Sequence, residues 1–206
     1  KAMIKERYGV ELKVVAAADS STSAINQDGL EEMLLIHSKN SEGNLSAYPE
    51  YGSSISGLDV LDAVDYDLLM EATPTNITTA EPALGLTLKA FEQGKDVVTS
   101  NKGHLAIKFG EVTKAAEENG VEFKYEASVG GAMPIINFAR ETLSSCGINS
   151  IVGILNGTTN YILTKMDVQN ASYEDVLIND VKNSAASYRY DIEYSFHLCK
   201  ILEVHV

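Results

Sequence analysis

In this 206-residue chain the side chains best placed to do chemistry sit in four short polar words. Asn101-Lys102-Gly103 puts an ammonium directly behind the β-branched run Asp96-Val97-Val98-Thr99, and the glycine is expected to let the backbone turn so that the lysine points back over the strand. A lysine there can meet a hydroxyl or carbonyl under reaction, and burial near other donors would move its pKa toward neutrality; a solvated surface lysine uses the same residues. Asp19, in Asp19-Ser20-Ser21-Thr22, closes the apolar run Leu12 to Ala18. A carboxylate at such a strand end can accept ribose hydroxyls and repel a 2′-phosphate, or it can simply cap a turn. Glu126 stands beside Val129-Gly130-Gly131, where a carboxylate and backbone carbonyls offer only oxygen, the ligand set of a hard cation. A tight turn that needs glycine at φ > 0 accounts for the same residues. Asn156-Gly157-Thr158-Thr159-Asn160 offers N–H groups and hydroxyls to an anionic ligand, and ordinary helix capping would use them too.

Other chemistries find no support. His37, His104, His197 and His205 lack metal-ligand spacing and no Ser-His-Asp order is visible, while Cys146 and Cys199 form no C-x-x-C pair. Sixteen Lys and Arg against 29 Asp and Glu give a net charge of −13, which repels phosphate backbones and anionic lipid. Neither nucleic acid nor membrane is an expected partner. No apolar run approaches the ~18–20 residues of a membrane span, and residues 1–8 lack the apolar core of a signal peptide, so the expected location is the cytoplasm.

The elements that would carry these words alternate. Strands are expected over 12–18, 66–72, 96–99 and 121–126; helices over 84–93, ended by Gly94, and 105–119, ended by Gly120, with residues 1–8 closing a helix at Gly9. Residues 21–50 read as an extended surface excursion around one helical fragment, 29–37. Strand, helix, strand with short connections implies right-handed β-α-β units and a parallel sheet. Such sheets bind ligands at the carboxyl ends of their strands, here Asp19, Thr73-Pro74, Thr99-Ser100-Asn101-Lys102 and Glu126. The glycine fingerprint due about 20 residues before the acid is absent, and its spacing places it upstream of Lys1. From Val129 the pattern changes to a glycine loop, a helix from Pro134 to about Ser144, a strand over 150–155 and a helix from Gly157. Tyr188, Tyr190, Ile192, Tyr194, Phe196 and Leu198 then alternate with polar residues, as a half-buried antiparallel strand does. The fold class is therefore α/β: an incomplete Rossmann-like parallel-sheet domain over 1–125, its first strand and glycine loop missing, and an α+β substrate and dimerisation domain over 126–206.

Taken in order, Glu71-Ala72-Thr73-Pro74-Thr75-Asn76, the run Asp96 to Gly103, Tyr125-Glu126-Ala127-Ser128-Val129-Gly130-Gly131 and the run Gly153 to Leu163 resemble the homoserine dehydrogenases, over roughly residues 1 to 177. The resemblance implies an NAD- or NADP-dependent oxidoreductase that interconverts L-homoserine and L-aspartate 4-semialdehyde on the route to threonine, methionine and isoleucine. It places Lys102 at the substrate and nicotinamide. It sets Thr73, Ser100 and the Gly157-Thr158 turn against cofactor or substrate; Asp19 with Ser20, through the strand-end carboxylate, and Pro74 and Asn101, at the other strand ends, are the further candidates for the cofactor, and Gly157 and Thr158 for the substrate. It also assigns a monovalent cation, sodium or potassium, to Glu126 with the carbonyls of Val129, Gly131 and Met133.

Departures accompany the match. His104 stands where the family often has Pro, Ala132 where a third glycine is common, and the family's second lysine, on a helix after an Asp-rich stretch, has no good counterpart. Forcing Asp191 and Lys200 onto it conflicts with the alternation from Tyr188 to Leu198. The alternatives are a catalytically impaired homologue serving as a binding or oligomer partner, and another α/β semialdehyde dehydrogenase; the latter would need a nucleophilic Cys, and Cys146 has no evident His partner. NAD is expected to serve at least as well as NADP, because Asp19-Ser20-Ser21-Thr22 brings a carboxylate and no arginine. The alternating tail further implies a homodimer or larger oligomer.

Overall fold

Gly9 adopts the left-handed conformation at φ 70° and its N–H closes on the Lys5 carbonyl, which ends helix α1 (Ala2–Tyr8). The chain then enters strand β1 (Glu11–Ala18), buried from Val14 onward. Strand β2 (Ser23–Ile25) turns back antiparallel on β1. Helix α2 (Glu32–Glu42) and a 3-10 turn over Leu45–Ala47 lead to strand β3 (Gly52–Ser53), which pairs antiparallel with β2. Helix α3 (Leu58–Asp62), strand β4 (Leu68–Glu71), helix α4 (Ala83–Glu92), strand β5 (Asp96–Thr99), helix α5 (Gly103–Asn119) and strand β6 (Phe123–Lys124) complete the run. β4, β5 and β6 are parallel, with Glu71 opposite Thr99, so the expected β-α-β-α-β order is present. The computed structural model describes residues 1–55, 57–131, 133–150, 157–176 and 199–205.

These residues fall into two units, one over Lys1–Tyr125 with strand β7 (Cys199–His205), the other beginning at Glu126. The sheet order is β3-β2-β1-β7-β4-β5-β6. β7 runs antiparallel to both β1 and β4, so those two point the same way with β7 between them. In doubly wound dinucleotide sheets this slot belongs to the first parallel strand. Residues 199–205, expected in the sheet of the second domain, lie here instead. The facing edges of β1 and β4 carry backbone donors and acceptors that an interior sheet position cannot leave unpaired. The alternating segment 188–198 and residues 151–155 of the expected strand lie outside the described residues.

The sheet buries both faces. On one, Val15, Ala16, Leu69, Phe91, Val97, Val112 and Phe123 form the larger core beneath α4 and α5. On the other, Val14 and Ala17 pack with Ala24, Leu30, Leu35, Leu45 and Tyr48. Val15 and Ala16 share a face because the pairing register with β7 shifts between Val14 and Ala16, a bulge that breaks strict alternation. The second core corrects the expectation for residues 21–50. Instead of an extended surface excursion, the segment lays α2 and the 3-10 turn over the far face of β1, which a sheet of this kind must cover.

In the second unit Pro134 precedes a helical turn α6 (Ile135–Asn137), which runs on as a π-helical turn over Phe138–Thr142, and helix α7 spans Gly157–Gln169. No helix among the described residues is long and apolar enough to cross a membrane.

Phe91 is fully buried and meets Phe123 edge-to-face at 5.4 Å between ring centroids. Phe91→Ala is expected to cost about 3–5 kcal/mol, read as a lower denaturant midpoint at unchanged slope. A midpoint within error of the parent chain would place the core elsewhere.

Candidate active site

The carboxyl ends of β4 and β5 are tied together by one buried side chain. Glu71, 1% exposed, closes β4. Its Oε1 accepts from the Thr73 backbone N–H at 2.7 Å and from the Thr73 hydroxyl, and its Oε2 accepts from the Thr99 hydroxyl at 2.6 Å. Thr99 Oγ1 in turn accepts from the Asn101 N–H at 3.0 Å. Asn101 reaches back across the strands, donating through Nδ2 to the Thr73 carbonyl at 2.9 Å, and forward, accepting the Gly103 N–H on Oδ1 at 2.8 Å. The Ser100 N–H donates to the Glu71 carbonyl at 3.2 Å. Both strand-end loops thus share one hydrogen-bonded clasp, which satisfies groups that would be costly to bury unpaired.

Lys102 lies inside this clasp, between Asn101 and Gly103. Its side chain is exposed, and its backbone, at φ −97° and ψ −25°, opens α5. Gly103 has a reason other than the turn expected of it. A Cβ there would sit 2.4 Å from the Asn76 carbonyl oxygen, so the glycine permits close approach of the loop after β4. His104, one residue on, is fully buried against the Phe123 ring at 6.1 Å. Burial pushes its imidazole pKa down, and the neighbouring Glu71 carboxyl pulls it partly back.

Asp19 sits at the end of β1 with its side chain only 4% exposed. Oδ1 accepts from the N–H groups of Ser21 and Thr22 and from the Thr22 hydroxyl, at 3.0, 2.8 and 3.0 Å, and Oδ2 pairs with Lys39 Nζ at 2.7 Å. Burial alone would lift this carboxyl, but the Lys39 ammonium and the Ser21 and Thr22 donors outweigh it and hold the pKa at about 2 against 3.8. A cavity of about 630 Å³ opens beside it, lined by Asp19, Ser20, Thr73, Pro74, Ile77 and Pro82 among others. Asp19, Ser20, Thr73 and Pro74 therefore share one concavity at the strand ends, and Asn101 bonds directly to its rim.

In the second unit Glu126 accepts the Ile136 N–H on Oε1 at 3.0 Å and the Asn137 N–H on Oε2 at 2.8 Å, which ties the loop to the start of the next helical turn. Val129 N–H donates to the Glu126 carbonyl and Met133 N–H to the Gly130 carbonyl, while Gly130 and Gly131 take φ of 75° and 63°. Glu126, Val129, Gly131 and Met133 thus belong to one tight loop that does need glycine. Among the described residues no cluster of three or more His, Cys, Asp or Glu is arranged to hold a metal ion. Gly157 and Thr158 open α7.

Sequence reasoning singled out most of these positions but gave no role to Glu71, whose signal was an acid closing an apolar strand. It gave Asp19 no partner, and Lys39, 20 residues away, carries no local signal of that pairing. It passed over Asn76, whose carbonyl makes Gly103 obligatory.

Comparison with known proteins bears on what the site serves. The profile for "Homoserine dehydrogenase, NAD binding domain" matches residues 2–126, and that for "Homoserine dehydrogenase" matches residues 134–190. A homoserine dehydrogenase of Methanocaldococcus jannaschii is 49% identical over 177 residues, covering 86% of this chain and 52% of that protein. Among solved structures, a putative homoserine dehydrogenase from Archaeoglobus fulgidus superposes with TM-score 0.72 at 31% identity, over 95% of this chain and 56% of that one. A hyperthermophilic archaeal homoserine dehydrogenase in complex with NADPH gives TM-score 0.73 at 28% identity, over 91% and 56%. The chain spans about half the length of the curated relatives it matches.

Two outcomes follow from the geometry. A carboxylate whose pKa lies lower in the fold than in the unfolded chain adds stability that is complete above about pH 4 and is lost as pH falls toward 2; for Asp19 this is about 2 kcal/mol. Lys39→Met is expected to shrink that acid-sensitive component, seen in denaturation series between pH 2 and 5, and identical pH curves for parent and variant would contradict the ion pair. Gly103→Ala is expected to displace the loop at Asn76 and cost about 1–3 kcal/mol; an unchanged denaturation midpoint would contradict the close approach.

Proposed function

Because the chain belongs to the homoserine dehydrogenase family, whose NAD-binding profile matches residues 2–126, we propose that the protein interconverts L-homoserine and L-aspartate 4-semialdehyde with NAD or NADP. The observation that carries this reading is the Glu71-Thr99-Asn101 clasp, which holds the backbone on either side of an exposed Lys102 and ties it to Thr73, a residue that lines the strand-end cavity. The nicotinamide, when bound, supplies or takes the hydride.

The chain's own residues do the rest. Lys102 holds the substrate oxygen and exchanges its proton. Thr73, Pro74, Ser100 and Asn101 shape the edge along which the dinucleotide lies, and Asp19 with Ser20 meets its ribose. Gly157 and Thr158, at the start of α7, take the substrate's polar end. A sodium or potassium ion would draw on Glu126 and the carbonyls of Val129, Gly131 and Met133; what supports this is their place in one tight, oxygen-rich loop. Residues 1–125 together with β7 would serve the dinucleotide, and the second unit, from Glu126, the substrate and the oligomer, a homodimer or larger. An amino-acid biosynthetic enzyme of this kind belongs in the cytoplasm.

NAD is proposed to serve at least as well as NADP. Asp19 brings the carboxylate suited to a ribose 2′-hydroxyl, and Lys39, paired to it at 2.7 Å, is the cation a 2′-phosphate would have to recruit. Matched titrations of the full-length protein should show NAD affinity equal or better, with Lys39→Ala weakening NADP more than NAD. A clear preference for NADP would remove Asp19 from this role.

The reading as a whole is tested by homoserine-dependent reduction of NAD or NADP by the full-length protein. Activity is expected with Lys102→Ala lowering kcat/KM for homoserine by about 10²-fold or more. A folded protein that reduces neither cofactor would overturn it.

A further inference from the structure

The clasp contains a group that the proposed chemistry does not use. Glu71 is 1% exposed, at the end of a strand whose other buried position is Leu69, and no lysine or arginine pairs with it among the described residues. Burying a carboxyl group without a lysine or arginine is costly, and an apolar residue would pack a strand end at lower cost, so its presence there directs attention to what its oxygens hold. They hold two loops at once: Oε1 fixes the exit of β4 through both donors of Thr73, and Oε2 fixes the exit of β5 through Thr99.

Thr99 carries the constraint onward. Its hydroxyl proton is committed to Glu71, which turns its lone pair to the Asn101 N–H, and Asn101 then clamps Gly103 N–H and the Thr73 carbonyl. Lys102, the residue between those clamps, has a fixed backbone and a free side chain. We propose that Glu71 is a positioning residue for this reaction, setting the place of Lys102 through Thr99 and Asn101 while touching neither substrate nor cofactor. The proposal rests on the reading that Lys102 works at the reacting atoms, and a misplacement of about 1 Å there suffices for large losses in turnover.

The test uses the full-length protein with homoserine and NAD, comparing Glu71→Gln, Thr99→Val, Lys102→Ala and the double variant Glu71→Gln/Lys102→Ala. Glu71→Gln keeps the shape but offers an amide where Thr99 needs an acceptor; Thr99→Val removes the bridging hydroxyl alone. Each is expected to lower kcat by about 10-fold or more, with the NAD dissociation constant moving less than about 3-fold and the thermal midpoint nearly kept. The double variant should be no slower than Lys102→Ala alone, because Glu71 acts through a side chain already gone. Full kcat in both Glu71→Gln and Thr99→Val, or a double-variant loss equal to the product of the single losses, overturns the proposal. If Glu71→Gln does not fold, Thr99→Val decides. Lys102→Ala with parental kinetics would instead overturn the reading beneath it, whatever the other variants show.

Discussion

Everything at the candidate site depends on keeping the ends of two parallel strands in register after their ladder hydrogen bonds stop. Glu71 lies opposite Thr99 in that register, and the bond from the Thr99 hydroxyl to the Glu71 carboxyl extends the pairing by one further rung made of side chains. Beyond it the chain must diverge to form loops, and loops left to themselves would blur the placement of any reacting group. The clasp replaces that freedom with hydrogen bonds that are buried at Glu71, Thr99, Asn101 and Gly103 and part-buried at Thr73. This is where side-chain networks are strongest and where losing a single member costs most.

Beneath the clasp the sheet supplies a rigid base. Leu69 and Val97 sit fully buried in the core beneath α4 and α5, and the edge-to-face pair Phe91 and Phe123 links α4 to β6. The opposite face is closed by α2 and the turn at Leu45, so β1 can end in a polar turn without exposing its apolar residues. Asp19 belongs to that turn. Its pairing with Lys39 joins the β1 end to α2, which couples the wall of the cavity to the packing of the second core.

How far all this was legible follows from the range of the interactions. The strands β1, β4 and β5 and the helices α4 and α5 were readable because apolar periodicity and a stopping glycine are local signals. β2 and β3 were not: strands of three and two residues have no period to show. The cover over the far face of β1 was missed because Leu30, Leu35, Leu45 and Tyr48 are scattered among polar residues, and only the sheet's need for a second layer unites them. The placement of β7 depends on open edges of strands far away in the chain, which no window along the sequence contains. At the site, Lys102, Asn101 and Thr73 were visible as words, whereas the link from Glu71 to Thr99, 28 residues apart, is a tertiary contact without local signature.

The central claim is that Lys102, held by this clasp, acts on the substrate oxygen while hydride moves. The most direct measurement is the primary deuterium isotope effect on kcat with homoserine deuterated at its hydroxyl-bearing carbon, compared between the full-length protein and its Lys102→Ala variant. The account predicts a slower variant whose isotope effect is larger than the parent's, because weakening the chemical step makes it more fully rate-limiting. Equal rates with equal isotope effects would contradict it.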